Sequence, residues 1–238
     1  MRGVRRLRRD IMQVNVKQQV AEIIGFFVAF ALALFLPAGT LTWLAAWIFF
    51  GLFFAFYVGV TIWLFKHNPA LMQERLRLST SDQQGWDKLL FPLLIIFPFA
   101  WMVFMALDAS RFHWSRVPFW LQIIGVVLLL CSFFLIFIAF RENSYASPVV
   151  RIQEDRGQTV ISTGPYHYVR HPMYSGIVVF AIGTPLLLGS GYGVLLGLVL
   201  VGILAWRTVL EERSLQENLP GYIAYMEQVK YRFIPYIW

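Results

Sequence analysis

The sequence has few charged residues and almost no cysteine. Only 14% of its 238 residues are Asp, Glu, Lys or Arg, whereas about 25% is usual in soluble domains. Hydrophobic types make up 58%, and the mean hydropathy is +0.63. This composition excludes intrinsic disorder, a coiled coil and an ordinary soluble enzyme. The single cysteine, Cys131, excludes an internal disulfide, and no Cys/His cluster has the spacing of a zinc site.

Charge is also absent from the interiors of the long hydrophobic runs. Four runs have about the length that a membrane-spanning helix needs: Ala21–Pro37, Leu41–Phe65, Leu89–Leu107 and Phe119–Phe140. The first contains one charged residue, Glu22, at its edge, and the others contain none. Because ion-coupled transporters usually carry charged side chains inside the membrane, a transporter is disfavoured. We predict an all-α integral membrane protein with about four transmembrane helices.

A fifth hydrophobic stretch, Ile177–Trp206, is interrupted at Gly189-Ser190-Gly191-Tyr192-Gly193. Each flank has about 13 residues, which is too short to span a bilayer upright. We predict a helical hairpin that dips into the membrane and returns to the same side, with one long kinked span as the alternative. The remaining residues are expected to form a cytoplasmic C-terminal cap of two short helices, near Arg207–Leu219 and Tyr222–Phe233, separated by Pro220-Gly221.

The distribution of Lys and Arg predicts the orientation. Of the 20 such residues, six lie in residues 1–20, four each in 66–88, 141–175 and 207–238, and two in 108–118. Cytoplasmic segments of membrane proteins are enriched in these residues, so we expect both termini on the cytoplasmic side, in the inner membrane if the source is bacterial. The basic N-terminus is interpreted as part of an uncleaved anchor attracted to anionic lipids, not as a nucleic-acid site.

Reactive side chains are concentrated in two clusters after the fourth run. In residues 163–176, Pro172 suits the first position of a helix and His171 the capping position. Arg170 and His171 would then lie at a helix N-terminus, where free N–H groups favour an anion. Tyr174 would share the helix face of His171.

The second cluster, residues 207–213, follows the hairpin directly. Arg207 and Glu211 are four residues apart and would share a helix face, with Glu212 beside them. If the hairpin returns to its own side, this cluster comes to lie beside Arg170. We therefore expect a polar site at the inner membrane surface.

Together the two clusters resemble a known family. Gly164-Pro165-Tyr166, then Arg170-His171-Pro172-Met173-Tyr174-Ser175-Gly176, and Glu211-Glu212 are similar to the isoprenylcysteine carboxyl methyltransferases and the related phospholipid methyltransferases. The resemblance implies an integral membrane enzyme that uses S-adenosylmethionine, forms S-adenosylhomocysteine and lacks the Rossmann-like fold of soluble methyltransferases. Consistently, no strand followed by a G-x-G-x-x-G loop is found.

The resemblance also implies roles for individual residues. Arg207 matches a basic residue that helps to hold a substrate carboxylate. Asn143 and, more strongly, the final segment from Tyr225 to Pro235 are also similar to the family, and that segment is expected to close over the cofactor. The implied catalytic residues are Arg207, His171 and Glu211, with no metal, and the implied cofactor-binding residues are Tyr166, Arg170, His171, Pro172, Tyr174, Gly176, Glu211 and Glu212.

The methyl acceptor stays open. A carboxylate acceptor is already a nucleophile, whereas an amine would need a base such as His171 or Glu211. A phospholipid amine, a small thiol and a non-catalytic membrane accessory protein are the alternatives. We expect a lipophilic acceptor and membrane lipids as partners, no nucleic acid, and one structural domain in which residues 1–140 form the basic segment and four spans and residues 141–238 the cofactor-binding region.

Overall fold

The computed structural model describes residues 16–238, and within this range every helix or strand assignment is helical. A π-helical turn, Leu107–Phe112, continues the fourth α-helix, and two 3-10 turns, Glu154–Arg156 and Gly164–His167, lie between the fifth and sixth. The predicted all-α class is confirmed, while the basic cluster in residues 2–9 lies outside the described residues. The α-helices are α1 Val16–Ala38, α2 Leu44–His67, α3 Pro69–Arg75, α4 Asp87–Ala106, α5 Phe119–Glu142, α6 Pro172–Leu188, α7 Gly191–Asn218 and α8 Tyr222–Gln228.

Four of the helices are long and apolar enough to cross a membrane, as an integral membrane protein requires. They are α2, α4 with its π-helical extension, α5 and α7. The number agrees with the prediction, but α7 replaces the first predicted run. The described apolar part of α1, Ile23–Ala38, is shorter than the other four. α7 reaches spanning length because it continues without a break through Arg207 to Asn218, where the sequence suggested a new helix.

The predicted hairpin is present and is formed by α6 and α7. The turn lies at Gly189, whose φ of +85° is a conformation that glycine adopts without strain. The Ser190 side chain caps α7 by accepting a hydrogen bond from the Gly193 N–H at 2.9 Å, and it donates to the buried Asp108 carboxylate just beyond the end of α4. The hairpin turn therefore lies level with the far end of α4. The hairpin is longer than its two apolar flanks of about 13 residues suggested, because α7 continues past the apolar stretch.

Glycines allow α5 and α6 to pack closely. A Cβ atom added at Gly125 would lie 2.8 Å from the Gly183 carbonyl oxygen, and one added at Gly183 would lie 2.9 Å from the Leu128 Cβ. Small residues permit such approach between helices in membranes, where packing drives association. α4 is tied to α7 by the indole N–H of buried Trp101, which donates to the Gly193 carbonyl at 2.8 Å. These contacts fix the helices that carry the polar clusters.

Most Lys- and Arg-rich segments meet at one end of this bundle. Segments 66–88, 141–175 and 207–238 are joined there by buried ion pairs. These pairs are Arg151 with Glu74, Arg170 with Glu212, and Arg207 with Asp87. The segment 108–118 lies at the opposite end, beside the hairpin turn. In the cap, α8 is shorter than predicted and ends at Gln228.

Candidate functional site

A cavity opens at the end of the bundle where the polar segments meet. The empty space at this opening, including its open mouth, is about 850 Å³. Its walls come from the loop 143–161, the start of α6, the end of α7 and α8. Five of the residues predicted from sequence line it, and these are Tyr166, Arg170, His171, Tyr174 and Glu211.

The start of α6 has the local geometry that the sequence predicts. His171 occupies the N-cap position and Pro172 the first helical turn. The imidazole of His171 stacks on the Tyr174 ring, with centroids 5.6 Å apart and planes 7° from parallel, because the two residues are three apart on one helix face. The ring edge of Phe233 covers Tyr174 from the C-terminal segment, with centroids 5.7 Å apart.

The C-terminal segment is hydrogen-bonded along this helix start. The backbone N–H groups of Arg170 and His171 donate to the carbonyls of Tyr231 and Arg232, each at 2.9 Å. The Ser175 hydroxyl donates to the Phe233 carbonyl at 2.6 Å. The expected covering segment therefore lies against the motif, and of its residues Tyr225 lines the cavity.

Glu212 lies at the centre of a buried charge cluster and does not line the cavity. Its carboxylate accepts two hydrogen bonds from the Arg170 guanidinium, at 2.6 and 3.2 Å, and one from Arg232 at 2.8 Å. The imidazole Nε2 of His171 lies 3.2 Å from the same carboxylate. In this geometry Glu212 holds Arg170 and His171, which both line the cavity. Contact between Glu212 and the cofactor, which the resemblance implied, stays a prediction.

Arg207 is also buried, and its contacts are internal. Its guanidinium donates to the Asp87 carboxylate at 2.9 Å, to the Pro148 carbonyl at 2.8 Å and to the Tyr174 hydroxyl. Tyr174 in turn donates to Glu211 at 2.9 Å. Arg207 and Glu211 thus share a helix face, as predicted, but they communicate through the Tyr174 hydroxyl and Arg207 does not line the cavity.

Two further residues of the motif, Gly176 and Pro172, pack inside the protein and do not line the cavity. A Cβ atom at Gly176 would lie 2.6 Å from the Ile136 side chain, so this glycine faces α5 and not the cavity. Pro172 is buried at the start of α6 and does not line the cavity either. Tyr168 has 68% of its surface exposed and does not line the cavity.

Tyr166 joins three parts of the cavity wall. Its hydroxyl accepts a hydrogen bond from the Asn143 amide at 3.0 Å, and its carbonyl accepts one from the Tyr225 hydroxyl at 2.7 Å. Burial raises the pKa of the Tyr166 phenol, so the group stays neutral. Asn143, for which the resemblance gave a weaker match, thus lies at the cavity and orients a lining tyrosine.

Several site residues escaped the sequence analysis. Asp87, at the start of α4, is fully buried and holds Arg207. Tyr222 lines the cavity, and its buried hydroxyl is one of the polar atoms without a partner in the described part of the chain. An acidic residue two positions before a hydrophobic run was the available signal for Asp87, whereas Tyr222 had none.

The loop that forms the outer wall is held by a second buried ion pair. Arg151 lines the cavity and donates to Glu74 of α3 at 2.8 and 3.0 Å. The hydrogen bond from Arg151 lowers the pKa of the Glu74 carboxyl. Asp82 and Asp155 also accept from Arg151, at 2.8 and 2.9 Å. Among residues 16–238, no group of three or more His, Cys, Asp and Glu side chains is arranged to hold a metal ion.

Known proteins are similar to the part of the chain that forms most of this site. The family model described as phospholipid methyltransferase matches residues 120–220. A stretch of 70 residues is 37% identical to the protein-S-isoprenylcysteine O-methyltransferase of Schizosaccharomyces pombe, and it covers 29% of this chain and 30% of that relative. From α5 to the end of α7, the chain is therefore similar to the phospholipid methyltransferases, and the resemblance predicted from its motifs is confirmed.

Proposed function

We propose that the protein is an integral membrane methyltransferase that uses S-adenosylmethionine, forms S-adenosylhomocysteine and methylates a lipophilic acceptor. The observation that carries this proposal is the convergence of Tyr166, Arg170, His171, Tyr174 and Glu211 on one cavity, inside the region that matches the methyltransferase family. By the distribution of Lys and Arg, the cavity and both termini face the cytoplasm.

The charges around the cavity fit the amino-acid end of S-adenosylmethionine. Arg170 lines the cavity and shares its counterion, Glu212, with Arg232 behind it, so this cluster has a positive surplus that suits a carboxylate. Glu211 is half-buried and places a negative charge on the wall, where it suits an ammonium group. The unpartnered hydroxyl of Tyr222 offers a further hydrogen bond, because a buried polar group without a partner is costly unless a ligand satisfies it.

Arg170 can hold a carboxylate without releasing its own partners. A guanidinium has five N–H groups, and three of those of Arg170 are used, two by Glu212 and one by the Val229 carbonyl at 2.7 Å. The Nη1 and Nη2 atoms each keep one N–H. The neighbouring tyrosine rings provide the faces on which a sulfonium cation is stabilised.

The bound donor would supply a methyl group on a positively charged sulfur, ready for in-line displacement. The task of the protein is then to align donor and acceptor and to exclude water, and this proximity is worth about 7–11 kcal/mol. If the acceptor is an amine, Glu211 is placed to take the proton, because only one of its oxygens accepts from Tyr174. If the acceptor is a carboxylate, no base is needed.

The acceptor we favour carries a lipid. The name of the Schizosaccharomyces pombe relative refers to an isoprenylated cysteine, and the family name refers to phospholipids. An acceptor of this kind would reach the cavity from the bilayer, whereas the donor would come from the aqueous side.

Calorimetric titration of the detergent-purified protein with S-adenosylmethionine and S-adenosylhomocysteine tests the proposal. We expect saturable binding that is weakened in His171→Ala, while the matched variant His113→Ala, in a loop at the opposite end, binds like the wild type. Folded wild-type protein that binds neither compound would refute the proposal and favour a non-catalytic accessory protein. Turnover is then compared with N-acetyl-S-farnesylcysteine, phosphatidylethanolamine vesicles and decanethiol, which present a carboxylate, an amine and a thiol.

A further inference from the structure

Asp87 is a buried acid that lies outside the methyltransferase-like region and still reaches the site. It is the first residue of α4, is 0% exposed, and accepts three hydrogen bonds. One oxygen accepts from the Arg207 Nε at 2.9 Å. The other accepts from the Gln83 side chain at 2.9 Å and from the Val150 backbone N–H at 2.8 Å. Asp87 thus joins α4, α7 and the loop that forms the cavity wall.

The contacts of Arg207 connect Asp87 to the cavity. With its Nε held by Asp87, its Nη1 donates to the Tyr174 hydroxyl. A tyrosine hydroxyl has one proton, and Tyr174 gives it to Glu211 at 2.9 Å, because the Arg207 side of its oxygen is already an acceptor. Asp87 holds Arg207, and Arg207 donates to the Tyr174 hydroxyl, so Tyr174 donates to Glu211. This leaves the other oxygen of Glu211 available.

We propose that Asp87 is a positioning residue for methyl transfer, acting through Arg207 and Tyr174 on Glu211. This inference rests on the proposed function. Asp87 touches neither the cavity nor a reacting atom; it holds Arg207 and, through Val150, the loop that faces it. Removing its charge misplaces Tyr174 and Glu211 relative to the acceptor while leaving Arg170 and Tyr222 in place.

The structure supplies a matched control for Asp87→Asn. Asp108, in the π-helical extension of α4, is also 0% exposed and also accepts three hydrogen bonds, two from Ser115 and one from Ser190. It lies at the opposite end of the bundle. Asp108→Asn therefore removes a comparable buried carboxylate without contacting the site.

The first measurement needs no cofactor. Thermal midpoints are compared for Asp87→Asn, Tyr174→Phe and their double variant. A second cycle replaces Asp87→Asn by Asp108→Asn and again uses Tyr174→Phe. Because Asp87 and Tyr174 belong to one hydrogen-bonded chain, we expect the double variant to lose less than the sum of the single losses. The Asp108 cycle should be additive. Additive losses in both cycles would overturn the proposed link between Asp87 and Tyr174.

The second measurement separates positioning from folding. In Asp87→Asn we expect kcat to fall up to about 100-fold, using the member of the acceptor panel that the wild type methylates. The loss of S-adenosylmethionine affinity by calorimetry should be smaller than the loss of kcat, because Arg170 and Tyr222 still hold the cofactor. Asp87→Glu, which keeps the charge, should recover part of kcat, and Asp108→Asn should retain it. Equal kcat values for the two asparagine variants would overturn the inference. Lack of cofactor binding by the wild type refutes the proposed function instead, and the cofactor-free cycle distinguishes the two failures.

Discussion

Replacing Glu212 by alanine is expected to destabilise the protein far more than replacing its neighbour Glu211. Glu212 is 1% exposed, and its oxygens accept from Arg170 at 2.6 and 3.2 Å and from Arg232 at 2.8 Å. Glu212→Ala leaves the buried Arg170 guanidinium without its counterion. Removing one partner of a buried ion pair costs about 3–5 kcal/mol, because the other charge stays desolvated.

Glu211 provides the reference for this magnitude. It is half-buried and accepts a hydrogen bond from Tyr174 at 2.9 Å, whose loss costs about 1 kcal/mol. In a chain of this size, each kcal/mol lowers Tm by about 2–4 °C. We therefore expect Glu212→Ala to lower Tm by about 6–20 °C and Glu211→Ala by about 2–4 °C.

Thermal unfolding of the detergent-purified variants, followed by tryptophan fluorescence, measures both shifts. Glu212→Gln separates charge from shape, because it keeps the side-chain length and one acceptor oxygen but no negative charge. Its Tm should lie between those of the wild type and Glu212→Ala. Equal Tm values for Glu212→Ala and Glu211→Ala would refute the reasoning that the Glu212 carboxylate is the shared counterion of the two arginines.

Three further predictions concern the wall, the loop and the helix contact. Tyr222→Phe should weaken S-adenosylmethionine binding about fivefold without lowering Tm, because its hydroxyl has no partner in the described fold. Arg151 lowers the pKa of Glu74 below 4.5, so the stability that this pair contributes is present above pH 4.5 and lost as the pH falls further. Tm should therefore drop more steeply below pH 4.5 in the wild type than in Glu74→Gln. Gly125→Ala should lower Tm, because the new Cβ would lie 2.8 Å from the Gly183 carbonyl oxygen.

Each of these predictions has a matched control. Tyr225→Phe removes a hydroxyl that donates to a backbone carbonyl at 2.7 Å, so it should lower Tm where Tyr222→Phe does not. Glu227→Gln changes an exposed carboxylate of α8 and should leave the pH profile unchanged. Gly59→Ala, in α2, meets nothing within 4 Å and should leave Tm the same or higher. A lower Tm for Gly59→Ala than for Gly125→Ala would contradict the packing argument.

The start of α6 could be predicted because its geometry is local. Proline at the first helical position, a capping residue before it and an aromatic side chain three residues later are determined by helix periodicity alone. The observed stacking of His171 on Tyr174 follows from that spacing. The proximity of Glu212 to Arg170 could be predicted only by assuming a hairpin, and the glycines at residues 189–193 indicated that hairpin.

The length of α7 could not be read from hydropathy. The apolar stretch ends at Trp206, but the residues that follow, to Asn218, include Leu, Glu, Gln and Arg and contain no proline or glycine. These residues are good helix formers. The drop in hydropathy after Trp206 therefore marks the end of the apolar surroundings, whereas α7 itself continues to Asn218. The same continuity places Arg207 and Glu211 on one rigid element that reaches from the bundle into the site.

The partners of Arg207 and Arg151 could not be predicted from motifs, since they lie far away in the chain. Asp87 and Glu74 precede residues 120–220, the part that matches the methyltransferase family, yet their carboxylates neutralise two buried guanidinium groups of that part. A buried arginine without its partner costs several kcal/mol. The matched region therefore depends on α3 and α4 for its charge balance, and the first half of the chain contributes to the site by more than membrane anchoring.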